Sequence, residues 1–293
     1  MNTKESSAIQ RVAAIQMVST SSVDTNLKLA AGLIQQAAAQ GAKYVVLPEY
    51  FCLMGHKDTD KLAIAEPFVG LNQANKTPPA PLQTFLSEQA KQYGVWLFGG
   101  SIPLAVPQQT DRVYNSLLVY SPDGYCVARY DKLYLFRFKN SGESYDEANT
   151  LAAGDRAVAF NCDGLGRVGL SICYDLRFPE LYRALNADLS PCNVMMVVAA
   201  FTETTGRAHW EPLLRARAIE NQCYVIASGQ GGTHENGRTT FGHSMIVSPW
   251  GEIKALQATG EGVVLFDLNM TQLARIRQQL PALEHRRGDW KLS

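Results

Sequence analysis

Along this chain the spacing of apolar positions switches repeatedly between two and about three and a half, the signature of strands alternating with helices. Residues 11–18 read as a first strand. Leu27, Leu33, Ile34 and Ala38 then recur at helical spacing, with Asp24 as the expected N-cap and Gly41 placed to end the helix. Residues 44–47 are the next strand, stopped by Pro48, so this β-α-β unit delivers Glu49 to a strand end. Residues 57–76 are less periodic and read as a loop region. A helix is expected over 81–93, ending at Gly94, and a strand over 95–99. Residues 113–120 and 125–131 flank Ser121-Pro122-Asp123-Gly124, a strong hairpin turn, and Lys132 follows the second strand directly. Residues 133–155 mix charges and aromatics irregularly, and long irregular loops inside compact domains are often functional.

In the second half, Val168, Leu170 and Ile172 alternate with small residues and predict a short buried strand that ends at Cys173. A helix is expected over 177–185. Residues 194–200 carry no polar side chain, as in a strand buried on both faces. A helix over 208–221 turns Leu214, Ala218 and Ile219 inward. Strands follow at 224–228, 243–247 and 253–256, with Pro249-Trp250-Gly251 turning the chain between the last two. A final strand is expected at 263–267 and a final helix at 270–280. No linker, low-complexity tract or short-period repeat interrupts this series. The pattern predicts one α/β domain over residues 1–293, ordered from about 11 to 290, with two sheets covered by helices.

Composition adds limits. Apolar residues are 46% of the chain, enough for a large core, and charged residues 18%, low for a monomer's surface. That fraction hints at surface covered by another subunit. Lys plus Arg and Asp plus Glu both number 27, so no net field favours nucleic acid or a membrane surface. The six cysteines, at 52, 126, 162, 173, 192 and 223, form no C-x-x-C pair and sit mostly in apolar stretches, which reads as reduced, intracellular usage. The polar start MNTKESSAIQ lacks a signal-peptide core, and no apolar run reaches membrane-spanning length. A soluble, cytoplasmic protein is expected.

Cys173 stands where a strand gives way to a helix, the edge at which α/β proteins usually bind ligands. The helix amino terminus is expected to lower the thiol pKa. Glu49 and Lys132 also follow strand ends. A thiol, a carboxylate and an ammonium together suit acyl transfer from a C–N bond: the thiol attacks, the carboxylate moves its proton to the leaving amine, and the ammonium with nearby N–H groups holds the oxyanion. Taken singly, each has a plainer role, as a buried small hydrophobe, a loop carboxylate and a surface lysine. His209, His234 and His243 lack metal-ligand spacing, so no metal is expected, and Gly99-Gly100 and Gly231-Gly232 lack a phosphate-loop context. Asp175, Glu180 and Arg183 are expected to tie the helix after Cys173 to its surroundings.

The stretches LPEYF, YDKLYLF and GLSICYDLRFPEL, at Glu49, Lys132 and Cys173, resemble the signatures of the nitrilase (carbon–nitrogen hydrolase) superfamily. The resemblance runs from about Arg11 to Trp290. It implies a four-layer α-β-β-α sandwich, a cysteine thioester intermediate and no cofactor. Together with the low charged fraction it suggests a homodimer or higher homo-oligomer, with 208–221 and 280–290 as candidate contact segments. It also implies a second glutamate between Lys132 and Cys173, for which Glu143 and Glu147 are the candidates. DEANTLAAGD resembles the family's stretch before a Gly-Asp turn and selects Glu147, expected to hold the Lys132 ammonium. AAFTETTGRAHWEPLLRARAIENQCYV, FGHSMIVSPWGE and LPALEHRRGDW resemble the branch that includes deaminated glutathione amidase and ω-amidase. There the arginine of CYDLRFPE, here Arg177, pairs with a substrate carboxylate, as a guanidinium fork is suited to do; a helix-start ion pair is its plainer role. Tyr174, Phe201 and Thr202 are the remaining substrate-contact candidates. The implied activity is hydrolysis of a small carboxylate-bearing amide, first deaminated glutathione, giving 2-oxoglutarate and cysteinylglycine. α-Ketoglutaramate or another ω-amide follows, then N-carbamoyl amino acids; nitrile hydrolysis uses the same set. A catalytically silent scaffold is the contrasting reading, against which the retained set argues. Arg137-Phe138-Lys139 and residues 141–144 depart from the loop of either branch, which bears on substrate selection.

Overall fold

The computed structural model describes residues 8–72, 80–139, 144–187 and 190–287. Glu143, residues 73–76 of the expected loop region and the terminal stretch through Trp290 lie outside the described residues. Two sheets face each other. The first runs in the order Gly262–Asn269, Ile9–Gln16, Tyr44–Val46, Trp96–Phe98, Val113–Tyr120 and Ile102–Ala105, with Cys126–Asp131 and Leu151–Ala152 also paired to Val113–Tyr120. The second runs Ala159–Cys162, Gly166–Ile172, Val194–Ala199, Tyr224–Gly229, Ser244–Val247 and Ile253–Gln257. Both have parallel centres and antiparallel edges, so the strand ends bearing Glu49 and Cys173 gather at carboxyl edges.

Strand alternation builds the layers. Val12 and Ala14 of the first strand join the core between the sheets, whereas Ala13 and Ile15 pack outward with Ala30, Ile34, Leu82 and Leu86 of helices Val23–Ala39 and Pro81–Tyr93. On the far side, Leu181, Leu185, Trp210, Leu214 and Ala218 bring helices Pro179–Leu185 and Glu203–Asn221 onto the second sheet. The result is the four-layer α-β-β-α sandwich. Among the described residues no helix is long and apolar enough to cross a membrane.

Several local expectations shift. Ser22, not Asp24, caps the first helix: it is extended at φ −105° and its side chain accepts from the Thr25 amide, while Asp24 falls in the first turn. The helix Glu203–Asn221 begins five residues early because Thr202 caps it, and the helix tolerates both Gly206 and Pro212. Strands Ile102–Ala105 and Ala159–Cys162, not expected from the sequence, border their sheets. The irregular 133–155 stretch contains the short hairpin Arg137–Lys139 with Ser144–Asp146 and a 3₁₀ turn at Glu147–Asn149. After Cys173 the chain makes a 3₁₀ turn, Cys173–Arg177, and the α-helix starts only at Pro179. Proline disfavours helical φ/ψ in the residue before it, and Phe178 is extended.

Candidate active site

Glu49 is set by a tight, strained turn. Tyr50 has φ +55° and its amide donates to Ser101 Oγ at 3.1 Å. The Gln230 amide nitrogen donates to the Glu49 carbonyl at 3.0 Å. Gly100, at φ +57°, lies so close to the Pro48 carbonyl oxygen that a Cβ there would sit 2.1 Å from it; the glycine lets the two loops touch. The Glu49 carboxylate is buried and accepts three hydrogen bonds: Lys132 Nζ at 3.0 Å and Asn115 Nδ2 at 2.8 Å on Oε1, and the Ala200 amide at 2.7 Å on Oε2. Cys173 has φ +51°, a left-handed conformation rare for a side-chain-bearing residue and the mark of a strained elbow. The Ala200 N–H that bonds Glu49 also interacts with the Cys173 thiol.

Lys132 is fully buried, although it belongs to a residue type that is almost never so unless paired. Its ammonium lies 2.8 Å from Glu147 as well as 3.0 Å from Glu49. Glu147 in turn accepts the Phe136 amide at 2.6 Å and the Tyr50 hydroxyl at 3.3 Å. The structure therefore brings Glu49, Lys132, Cys173 and Glu147 together from four chain segments. Burial opposes the lysine's charge, but the two carboxylates outweigh it and hold its pKa well above the ordinary range. Burial likewise pushes the Glu147 carboxyl up, and Lys132, the Phe136 amide and the Lys61 charge more than reverse this, leaving it lowered.

The thiol behaves contrary to the expectation of a lowered pKa. Burial and the Glu49 charge raise Cys173 well above an ordinary thiol, with Lys132 only partly opposing them. The five-residue 3₁₀ turn that follows gives too little helix dipole to compensate. The resting site is thus a neutral thiol beside an ammonium and two carboxylates.

Around this row lies a narrow pocket whose walls include Phe136, Tyr174, Arg177, Phe201, Thr202 and Arg238. All four expected substrate-contact residues line it. Arg177 sits 5.8 Å from the Tyr174 ring centre and 5.4 Å from that of Phe201, and its Nη1 is 3.1 Å from His209 Nδ1. Among the described residues it forms no ion pair with a carboxylate. Phe201 is also core, 4.8 Å from Trp210, and Thr202 uses its hydroxyl as a helix cap. Asp175 anchors the elbow, accepting from Tyr130 Oη at 2.7 Å and from the Ile172 and Tyr134 amides at 2.8 and 3.0 Å; burial raises its carboxyl to about 6. Arg183 reaches the Glu220 carbonyl at 2.9 Å, tying the short helix to its neighbour, and Glu180 is exposed. Sequence reading missed Asn115, Tyr50, His209 and Arg238. Asn115 left one signal, the polar Asn115-Ser116 pair inside a strand of mostly apolar residues; Tyr50 stands in LPEYF without a role, His209 reads only as a rejected metal ligand, and Arg238 left none.

Residues 11–278 match the carbon–nitrogen hydrolase family, and the chain belongs to it; it is a hydrolase of carbon–nitrogen bonds. A deaminated glutathione amidase of Synechocystis is 41% identical over 276 residues, covering 94% of this chain and 97% of that protein. An omega-amidase NIT2 of Pongo abelii is 38% identical over 280 residues, 95% of each chain. The solved structure of Saccharomyces cerevisiae Nit3, a member of branch 10 of the nitrilase superfamily, superposes with a TM-score of 0.80 at 30% identity, covering 93% of this chain and 94% of that one.

Proposed function

We propose that the protein is an amidase that cleaves a linear amide of a small carboxylate-bearing substrate through a thioester on Cys173. The observation that carries this reading is the buried Lys132 ammonium, shared by Glu49 and Glu147 beside the thiol. Because the thiol is neutral at rest, attack and proton transfer are coupled. Sγ bonds the amide carbon while its proton passes to Glu49. The oxyanion forms against the Lys132 ammonium and the backbone N–H groups that follow Cys173. As the C–N bond breaks, Glu49 returns the proton to the departing amine. Water then attacks the thioester, giving a proton to Glu49; the carboxylic acid product leaves and the thiol is restored. Glu147 keeps the ammonium charged and aimed. No step calls for a cofactor.

Arg177, free of a carboxylate among the described residues and stacked on pocket aromatics, suits a substrate carboxylate. Deaminated glutathione, yielding 2-oxoglutarate and cysteinylglycine, is the first substrate on this reading, supported by the Synechocystis relative's name. α-Ketoglutaramate is the second, supported by the omega-amidase. A panel of amides, followed by both ammonia and free-amine release, tests the reading. Cys173→Ala should abolish turnover with the fold intact, and the wild type should yield an acyl adduct on Cys173 by mass spectrometry. An active Cys173→Ala variant refutes the mechanism.

The same proposal takes the chain as one domain acting in the cytoplasm as a homodimer. Ile219, expected to turn inward, is instead 50% exposed and packs closely on Gly251, next to Trp250 at 61% exposed, and this apolar patch favours a face for a second copy. Light scattering at micromolar concentration should read a dimer, and a monomer alone would contradict it.

A further inference from the structure

A second cavity, of about 260 Å³, adjoins the pocket that holds Cys173. Its walls include Tyr50, Lys57, Lys61, Tyr145, Asn236 and Arg238, and Arg238 lines both spaces. We propose that this annex is a subsite for a carboxylate carried on the amine half of the substrate, the half that leaves. The inference rests on the amidase reading and deepens it by assigning the leaving group's chemistry.

Three observations carry it. The annex is cationic: Lys57, Lys61 and Arg238 face Asp58 as the carboxylate in its lining. Lys61 keeps only 12% of its side chain exposed, yet its nearest carboxylate, Asp58, is 3.7 Å away and itself 63% exposed. Its other polar contact, Thr150 Oγ1, is at 3.5 Å. Burial lowers its pKa, with the charges of Asp58 and Glu147 only partly opposing it, the expected response of an ammonium with weak partners. Arg238 is anchored by one hydrogen bond, Nη2 to the Ala200 carbonyl at 2.8 Å, and lies 5.3 Å from the Tyr145 ring centre. Among the described residues no carboxylate forms an ion pair with its guanidinium, which lines both spaces and leaves its charge to an incoming anion.

The third observation is direction. Arg177 lies over Tyr174 and Phe201, whereas Arg238 lies by Tyr145 and is the lining residue the pocket shares with the annex. A substrate whose acyl half is held by Arg177, with its carbonyl at Cys173, extends its amine half toward Arg238 and the annex. An amide that releases ammonia has nothing to put there. An amide that releases an amino acid or dipeptide has a carboxylate.

The test uses the full chain and two probes of the leaving half, alanylglycine and alanylglycine amide, measured by titration calorimetry. The acid should bind at least about tenfold more tightly than the amide. Lys61→Met should remove most of that preference, and Lys57→Glu, at an exposed residue where folding is not at stake, should reduce it severalfold. In turnover, two substrates with the same acyl half are compared, one releasing ammonia and one releasing glycine. The kcat/KM of the glycine-releasing substrate relative to the ammonia-releasing one should fall about tenfold in Lys61→Met. Loss of the Lys61 charge near Glu147, or a shift of Tyr50, would slow both equally, and an unchanged ratio would overturn the annex. Equal binding of acid and amide, or a preference untouched by both variants, overturns the annex. Absence of turnover with either substrate counts against the amidase reading, and the binding preference still decides the annex.

Discussion

Replacing Lys132 with methionine removes the cation that two buried carboxylates share while nearly preserving side-chain length. The ammonium lies 3.0 Å from Glu49 and 2.8 Å from Glu147; at an effective dielectric of about 20 each contact is worth roughly 6 kcal/mol of attraction before desolvation is counted. Desolvation of the three ions offsets most of that, so the expected destabilisation is about 3–5 kcal/mol, the usual cost of breaking a buried pair from one side. At a few degrees per kcal/mol, that is a fall in Tm of roughly 6–15 °C. With Lys132 gone, the burial that raises the Glu147 carboxyl loses its main opponent, so the variant should lose stability as pH rises through that raised folded pKa. Glu147→Gln alone should cost about 1–3 kcal/mol. In the double variant Lys132→Met/Glu147→Gln one of the stranded charges is gone, so its destabilisation should fall short of the sum by about 1–3 kcal/mol. Activity should not follow: loss of the oxyanion donor lowers kcat by roughly a hundredfold to a thousandfold, and the double variant should not recover it. Urea unfolding and kcat/KM on one acid amide read both quantities. Additive stabilities, or activity restored with stability, would refute the shared-cation account.

Other outcomes follow from the same geometry. Because burial and Glu49 raise the Cys173 thiol, iodoacetamide should label it at a rate that climbs about tenfold per pH unit from 7 to 9; a plateau near neutrality would mean a preformed thiolate. Arg177→Lys keeps the charge but loses the fork, so kcat/KM on carboxylate-bearing amides should fall about tenfold to a thousandfold while neutral amides, already poor, barely respond. Equal slowing of both would leave Arg177 a structural role only. His234 is buried between the Ser19 carbonyl and Thr240 Oγ1, each at 2.8 Å, and burial lowers its pKa. The unfolded chain then binds the extra proton first, so stability should drop as pH falls below about 6.5. His234→Gln should flatten that slope relative to wild type, and an unchanged slope would show that other groups cause it.

Period and punctuation, which are local, were enough for most elements. The helix Pro81–Tyr93 lies between its expected bounds because Pro81 starts it and Gly94, at φ +61°, ends it. The strand Val113–Tyr120 matches its expected bounds, set by Val113, Leu117, Leu118 and Val119 and the turn that follows Tyr120. Boundaries set by a side-chain cap were less legible: Thr202 starts its helix ahead of a glycine-containing turn that reads as loop. The short strand Ile102–Ala105 carries a proline and exists because Val113–Tyr120 pairs with it.

Within the site, Glu49, Lys132 and Cys173 were visible because each closes a strand, and a strand end is a property of the local pattern. Glu147 was visible only through resemblance. What the tertiary structure alone decided depends on distance through space. The direction of the Cys173 shift follows from burial and from Glu49, which arrives from the other sheet. Asn115 meets Glu49 because a hairpin strand passes its edge, and Arg238 reaches the pocket from a turn far along the chain. The sequence determines which side chains stand at strand ends; the packing of two sheets determines which charges meet without water between them, and that sets the chemistry.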